Sequence, residues 1–320
     1  MKKQAVLFFI LIFVVTTVMS AQVRYTLIPE SPRPGEPVTI ALNMPATEVI
    51  LLVGGRELAK AVCFQVPSEE TSPEFTASII AIPSTARSGA ATIRINYERG
   101  VLLDIPFTIA PRDFLTETIR LQPAQSSLMT DPDPQQAVES NRLWAILTTN
   151  GTQVYHWEPF ALPIDSTRRT SIYGTRRVYQ YANGSTSSPS IHAGVDFGAP
   201  LGTPVMSSGA GRVVFAQMRI LTGNSIIIEH APGVYSLYYH LNSINVQAGD
   251  MVNTGQNIGQ VGSTGLSTGP HLHWEIRVAT ENADPDAFVI RPLIDRELIT
   301  SRIFIFSTRY QTHTSLISEI

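Results

Sequence analysis

Cysteine is almost missing from this chain: Cys63 stands alone among 320 residues. No internal disulfide can form, so packed cores must supply the stability. Cys63 lies in the apolar run Ala61-Val62-Cys63-Phe64, where packing is its expected role. Charge is scarce as well: charged residues make up 15% of the chain, and the net charge is -3. That leaves no basic surplus for nucleic acid and no acidic block of the kind found in disordered tails. Beyond the N-terminus no apolar run reaches the ~18 residues of a membrane span. Sustained helical periodicity is rare, and 21 Gly and 22 Pro punctuate the chain in a way that suits short strands and turns.

The N-terminus reads as a secretory signal over residues 1–21. Lys2 and Lys3 precede an apolar run over residues 5–15, and Val18-Met19-Ser20 offers a cleavage site after Ser20 or Ala21. The run is short for an anchor, so cleavage and export to the periplasm or the cell exterior are expected, with no stable membrane span left.

Mainly β structure is expected in the rest. Residues 22–110 carry short alternating strands between turns, such as Ala91-Thr92-Ile93-Arg94-Ile95-Asn96-Tyr97, and suggest an Ig-like β-sandwich accessory domain. Residues 111–160 read as a linker. In it, Asp133-Pro134 caps a helix over 135–147, with Val138, Arg142 and Ala145 at helical spacing. Asn150-Gly151 reads as the tip of a hairpin. Residues 161–290 hold Gly-punctuated strands of an antiparallel β domain. Residues 291–320 form a C-terminal extension; Asp284-Pro285 just before it reads as a turn, and Ile303-Phe304-Ile305-Phe306 as a strand or short packed segment.

Chemistry concentrates in that third region. In Gly269-Pro270-His271-Leu272-His273-Trp274-Glu275-Ile276-Arg277-Val278, strand alternation puts His271, His273, Glu275 and Arg277 on one face and Leu272, Trp274, Ile276 and Val278 on the other. A rise of ~3.3 Å per residue separates the two imidazoles by about 6–7 Å along the strand. His192 and Asp196 converge in an extended segment, as a metal pair or as a surface ion pair, and Gly194 between them leaves space for a metal. His240 follows Tyr238-Tyr239. Gly265-Leu266-Ser267-Thr268-Gly269 fits the nucleophile-elbow pattern, but Pro270 and a strand follow where a helix is required, which excludes a serine hydrolase. The same loop lacks the lysine of a phosphate-binding loop.

Three motifs taken together, His192-x3-Asp196, Tyr238-x-His240-Leu241 and Gly269-Pro270-His271-Leu272-His273-Trp274-Glu275, resemble the zinc metallopeptidases of the lysostaphin and LytM type, peptidase family M23. The likeness covers about residues 170–285. It implies that His192, Asp196 and His273 are ligands of Zn²⁺, and that His240 and His271 are the catalytic partners. Glu275 shares the site face and is expected either behind a ligand histidine or in an ion pair with Arg277. Residues 171–177 and the loop 262–269 are expected to wall a groove, with Tyr173 or Arg176 contacting substrate. The implied function is an exported, monomeric zinc endopeptidase acting on peptidoglycan peptides. The alternative is a non-enzymatic regulator of other cell-wall hydrolases on the same fold, and the intact five-residue set weighs against it. A zinc carboxypeptidase of the D-alanyl-D-alanine type ranks last, because no Glu-x-x-His is present.

Overall fold

The computed structural model describes residues 23–304, except 71 and 99. The signal-like stretch and the segment from Ile305 onward lie outside the described residues.

Eight strands come first: β1 (Tyr25–Ile28), β2 (Pro37–Leu42), β3 (Glu48–Val53), β4 (Arg56–Val62), β5 (Phe64–Val66), β6 (Phe75–Ala81), β7 (Gly89–Tyr97) and β8 (Gly100–Ile109). They form two four-stranded antiparallel sheets, ordered β1-β2-β6-β5 and β4-β3-β7-β8. Period-two alternation builds the core between them, where Val38, Ile40 and Leu42 meet Val49, Leu51, Ile93 and Ile95. The β1-β2-β6-β5 sheet is covered on its other side too. There Phe75, Ala77, Ile79 and Ala81 of β6 join the apolar cluster of the C-terminal half. The sandwich is therefore docked on the rest of the chain rather than tethered beside it.

The connecting segment contains β9 (Thr116–Arg120), α1 (Pro123–Thr130) and α2 (Pro134–Thr148). α2 begins where expected, because the Asp133 carboxylate accepts the Gln135 N–H and Pro134 occupies the first turn. Its packed face is different from the expected one. Leu143, Ile146 and Leu147 bury against Phe215, Ile227, Tyr235 and Leu237, while Val138 is 57% exposed. Two aliphatic side chains at adjacent positions, Ile146 and Leu147, set the phase of the apolar stripe. The hairpin at Asn150-Gly151 does not form. Gly151 N–H donates to Glu229 Oε1 at 2.9 Å and Tyr155 N–H to the His230 carbonyl at 2.8 Å, so the chain runs on along the neighbouring sheet.

Next come β10 (Arg169–Ser171), β11 (Arg176–Gln180), β12 (Ser190–Ile191), β13 (Gly194–Gly198), β14 (Pro204–Met206), β15 (Gly211–Arg219) and β16 (Gly223–Ala231). They are followed by β17 (Val234–Ile244), β18 (Met251–Val252), β19 (Asn257–Val261), β20 (His271–Val278) and β21 (Glu281–Ala283). The chain then forms α3 (Pro285–Val289) and α4 (Arg296–Ile303). Asp284-Pro285 is thus a helix start rather than a simple turn, with the Asp284 carboxylate accepting the Asp286 N–H. Ile303 ends a helix and, with Phe304, packs on the core, which fits the short packed segment rather than the strand; Ile305 and Phe306 lie outside the described residues. The large sheet runs β10-β13-β20-β17-β16-β15-β18, with β14, β19 and β21 paired at its margins. A smaller sheet, β12-β11-β9, joins the connecting segment to this half through a parallel β9–β11 pairing.

β20 lies between β13 and β17, in the interior of the large sheet. Leu272, Trp274, Ile276 and Val278 are fully buried on its back face. Replacing Trp274 by alanine should cost about 3–5 kcal/mol, the usual loss for a large buried aromatic, read by urea unfolding followed by circular dichroism. A second expectation concerns His230. It is fully buried, its Nδ1–H donates to the Ala210 carbonyl at 2.7 Å, and burial pushes its pKa down to about 3. The unfolded chain, with an ordinary value of about 6.5, binds more protons between those limits. Its stabilising contribution is complete above pH 6.5 and is lost as pH falls toward 3, at up to about 1.4 kcal/mol per pH unit. Unfolding curves at pH 7.5 and 5 should show a shallower pH dependence in His230→Gln than in the parent.

Candidate metal centre

Strand register creates the site. β13 and β20 pair antiparallel with Asp196 directly opposite His273 and Gly194 opposite Glu275. Gly194 serves that pairing rather than leaving room for a metal: a Cβ there would lie 2.2 Å from the Trp274 carbonyl oxygen. His192 stands just ahead of β13. Its backbone N–H donates to the Thr175 carbonyl and its own carbonyl accepts the Gly174 N–H, each at 2.9 Å.

The three side chains meet closely. His192 Nε2 is 3.1 Å from both Asp196 Oδ1 and His273 Nδ1, and His273 Nδ1 is 2.8 Å from Asp196 Oδ1. All three residues are buried. Outer partners fix which atoms face inward. His192 Nδ1 lies 2.9 Å from the Ile172 carbonyl, so it must carry the proton, and Nε2 presents a lone pair. His273 Nε2 lies 3.5 Å from Glu275 Oε2, which turns Nδ1 inward. Asp196 Oδ2 accepts Arg177 Nη2 at 2.7 Å, leaving Oδ1 for the centre.

Such a set of converging side-chain atoms could hold a metal ion between them. Burial pushes His273 down, but Asp196 and Glu275 outweigh it and bring its pKa up to about 9. Burial opposes the Asp196 charge, yet the close imidazoles of His192 and His273 hold its carboxyl well below the usual range. Two imidazoles and one carboxylate are a donor set of catalytic zinc sites, which keep a fourth position open. The separations match the spacing of about 3.3 Å expected between ligand atoms in a tetrahedral zinc shell. His192, Asp196 and His273 therefore fit Zn²⁺.

Two more imidazoles stand beside this trio. The His271 Nδ1–H donates to the Gly269 carbonyl at 2.9 Å, and its Nε2 is 3.8 Å from Asp196 Oδ1. The His240 Nδ1–H donates to the Thr264 carbonyl at 2.8 Å. The two rings are 4.7 Å apart between centroids. Burial first, then the nearby His271 and His273, push the His240 pKa down to about 3, so this ring is neutral. His240 also has a backbone φ of 61°, a left-handed conformation uncommon for a side chain of its size. That twist breaks the strand alternation. Tyr238 packs behind the sheet and Tyr239 in front, so His240 would be expected behind; instead it lines the same cavity as Tyr239, and Leu241 takes the back position.

The site is the floor of an open groove of about 640 Å³. One wall is the loop from Leu266 to Pro270, and α1 props it where Gln125 Nε2 donates to the Ser267 carbonyl at 2.6 Å. The facing wall carries Glu117 and Ile119 of β9 with Arg177 and Tyr179 of β11. Tyr173 and Arg176, expected in this wall, are elsewhere. The Tyr173 hydroxyl donates to the Asn282 carbonyl at 2.8 Å and its ring packs on Gly35, where a Cβ would come within 2.3 Å. The Arg176 guanidinium lies 4.4 Å above the Phe114 ring and donates to the Ser84 carbonyl at 2.8 Å. Tyr173 links the sandwich to the large sheet, and Arg176 links it to the smaller one. Strand alternation explains the shift, since residues 177 and 179 point one way along β11 and Arg176 the other. Glu275 Oε2 lies 3.5 Å from His273 Nε2, and its Oε1 is ion-paired with Arg277.

A buried His–Asp–His cluster with two further imidazoles in an open groove is a candidate metal centre. Residues 190–285 match the model of peptidase family M23. The chain is 46% identical over 95 residues to the DD-carboxypeptidase/endopeptidase Mpg of Neisseria meningitidis, covering 30% of this chain and 22% of that protein. It is 41% identical over 117 residues to the peptidoglycan DD-endopeptidase ShyA of Vibrio cholerae, covering 36% and 26% respectively. The chain thus spans about a quarter or less of the length of these relatives. A solved Pseudomonas aeruginosa structure described as an M23 peptidase superposes with a TM-score of 0.52 at 22% identity, over 81% of this chain and 94% of that one. This last likeness concerns the fold.

Metal analysis by inductively coupled plasma mass spectrometry should find about one zinc per chain, the loading of a mononuclear catalytic site. His273→Ala and Asp196→Ala should reduce it to background, while His240→Ala should retain it.

Proposed function

We propose that this protein is a zinc endopeptidase that hydrolyses peptide bonds in bacterial peptidoglycan. One observation carries the reading: three inward-facing acceptor atoms, all within 3.1 Å of one another, lie beside two further imidazoles on the floor of an open groove. The relatives named as peptidoglycan DD-endopeptidases support the substrate class. The groove is open to solvent, which suits a peptide substrate. The signal-like N-terminus supports export to the cell envelope, and among the described residues no helix is long and apolar enough to cross a membrane.

His192, Asp196 and His273 would hold the metal. When bound, zinc supplies a Lewis acid and lowers the pKa of a water molecule toward neutrality. The remaining chemistry belongs to the side chains around it. His240 is neutral and its Nδ1–H is engaged by the Thr264 carbonyl, so Nε2 is free to accept a proton from the attacking water. His271, oriented in the same way by Gly269, places its Nε2 beside Asp196; as the imidazolium, with both ring nitrogens protonated, it can donate to the oxygen of the developing tetrahedral centre. A proton returned to the leaving amine completes the cleavage. Arg177 and Glu275 keep the ligand atoms aimed inward during these transfers.

The non-enzymatic regulator remains the second reading, and the complete set of five residues weighs against it. The test is digestion of purified peptidoglycan with mass spectrometry of the released fragments. Opened cross-links are expected, with activity lost on chelation and restored by zinc. His240→Ala should lower kcat by about 10²–10⁴-fold, the usual worth of a general acid–base group. Intact cross-links after treatment with the zinc-loaded protein would support the regulator. Free D-alanine as the sole product would point to a carboxypeptidase instead.

A further inference from the structure

The ligand carboxylate of Asp196 is held from outside the stretch that matches the peptidase family. Its Oδ2 accepts Arg177 Nη2 at 2.7 Å, and Arg177 Nε donates to Glu117 Oε1 at 2.6 Å. Arg177 lies on β11 and Glu117 on β9, both upstream of residue 190. Parallel pairing sets the two directly side by side, Arg177 against Glu117. The Arg177 and Asp196 side chains are only 13% and 10% exposed, so solvent screens this chain of charges weakly. Ser171 adds a cross-tie, with its Oγ donating to Glu117 Oε1 at 3.1 Å and lying 3.3 Å from His192 Nδ1.

We infer that Glu117 and Arg177 are positioning residues for the metal centre. Through them the connecting segment, by way of β9, sets how Asp196 binds zinc. Arg177 occupies Oδ2 and leaves Oδ1 as the single ligating oxygen, which preserves an open position for water. A guanidinium so close to the metal would by itself repel the cation. The Glu117 carboxylate offsets that charge and fixes the guanidinium plane, because the Arg177 fork reaches Asp196 with one arm and Glu117 with Nε. Loss of Glu117 therefore removes both the compensation and the alignment, and both losses weaken metal binding. Loss of Arg177 frees Oδ2 to join the metal and raises its coordination number.

This inference rests on the zinc reading of the site, and two measurements on the full-length protein keep their failures apart. In the first, zinc affinity is measured by competition with a chromophoric chelator. Glu117→Gln, an isosteric change, should raise Kd by about 10–100-fold, the usual effect of losing a partner behind a metal ligand. Thr118→Val, on the opposite face of the same strand, should leave Kd unchanged. In the second, the Co²⁺-substituted protein is examined by visible absorption. Arg177→Gln should lower the intensity of the d–d bands, as a change from four to five ligands does. A Glu117→Gln Kd within about twofold of the parent, well short of the usual effect, overturns the inference. So does an unaltered Co²⁺ spectrum in Arg177→Gln. Failure of the parent protein to bind zinc would instead overturn the metal reading itself.

Discussion

The pairing of Asp196 with His273 across two adjacent strands is the constraint on which the rest of the structure depends. It places a carboxylate oxygen and an imidazole nitrogen within 2.8 Å in a buried setting, and His192 closes the triangle. A sheet fixes such separations more tightly than loops can, since a one-residue slip would turn every side chain of the strand to the opposite face. The apolar face of β20 resists that slip: moving Trp274 to the groove side would expose a large aromatic and bury charged Arg277 in the core.

Around this pairing, each of the three inward-facing side chains is anchored by a different part of the chain. His192 is held by the Ile172 carbonyl, His273 by Glu275 and Asp196 by Arg177. The sandwich contributes indirectly, through Tyr173 and Arg176, which pin the segment between β10 and β11 against it. The connecting segment, lying between the two halves, could have plugged the groove. It builds a wall of it instead, with Glu117 and Ile119 of β9, and α1 supports the opposite loop. The peptidase-like centre is thus assembled from more of the chain than residues 190–285.

Much of this was legible in the sequence where a local pattern coincided with burial. Strand alternation assigned both faces of β20, and a proline following an aspartate marked the start of α2. What stayed hidden lacks a local signal. β9 reads Thr116-Glu117-Thr118-Ile119-Arg120, too polar to announce a strand, because its partner β11 and the groove give it a setting that only tertiary structure supplies. Arg176 and Arg177 are indistinguishable until the strand phase is known, and the wrong neighbour was expected at the groove. The left-handed backbone at His240 reverses the alternation at one residue, which a periodic pattern cannot reveal. The helices α1 and α4 carry weak amphipathic patterns and were likewise not foreseen as helices.

The central claim is that the three inward-facing atoms form a zinc site. Anomalous diffraction at the zinc edge from crystals of the purified protein tests it most directly. The account predicts one strong peak enclosed by His192 Nε2, Asp196 Oδ1 and His273 Nδ1, at about 2.0–2.2 Å from each. A zinc-replete crystal with no peak there, or with its peak at other residues, would contradict it.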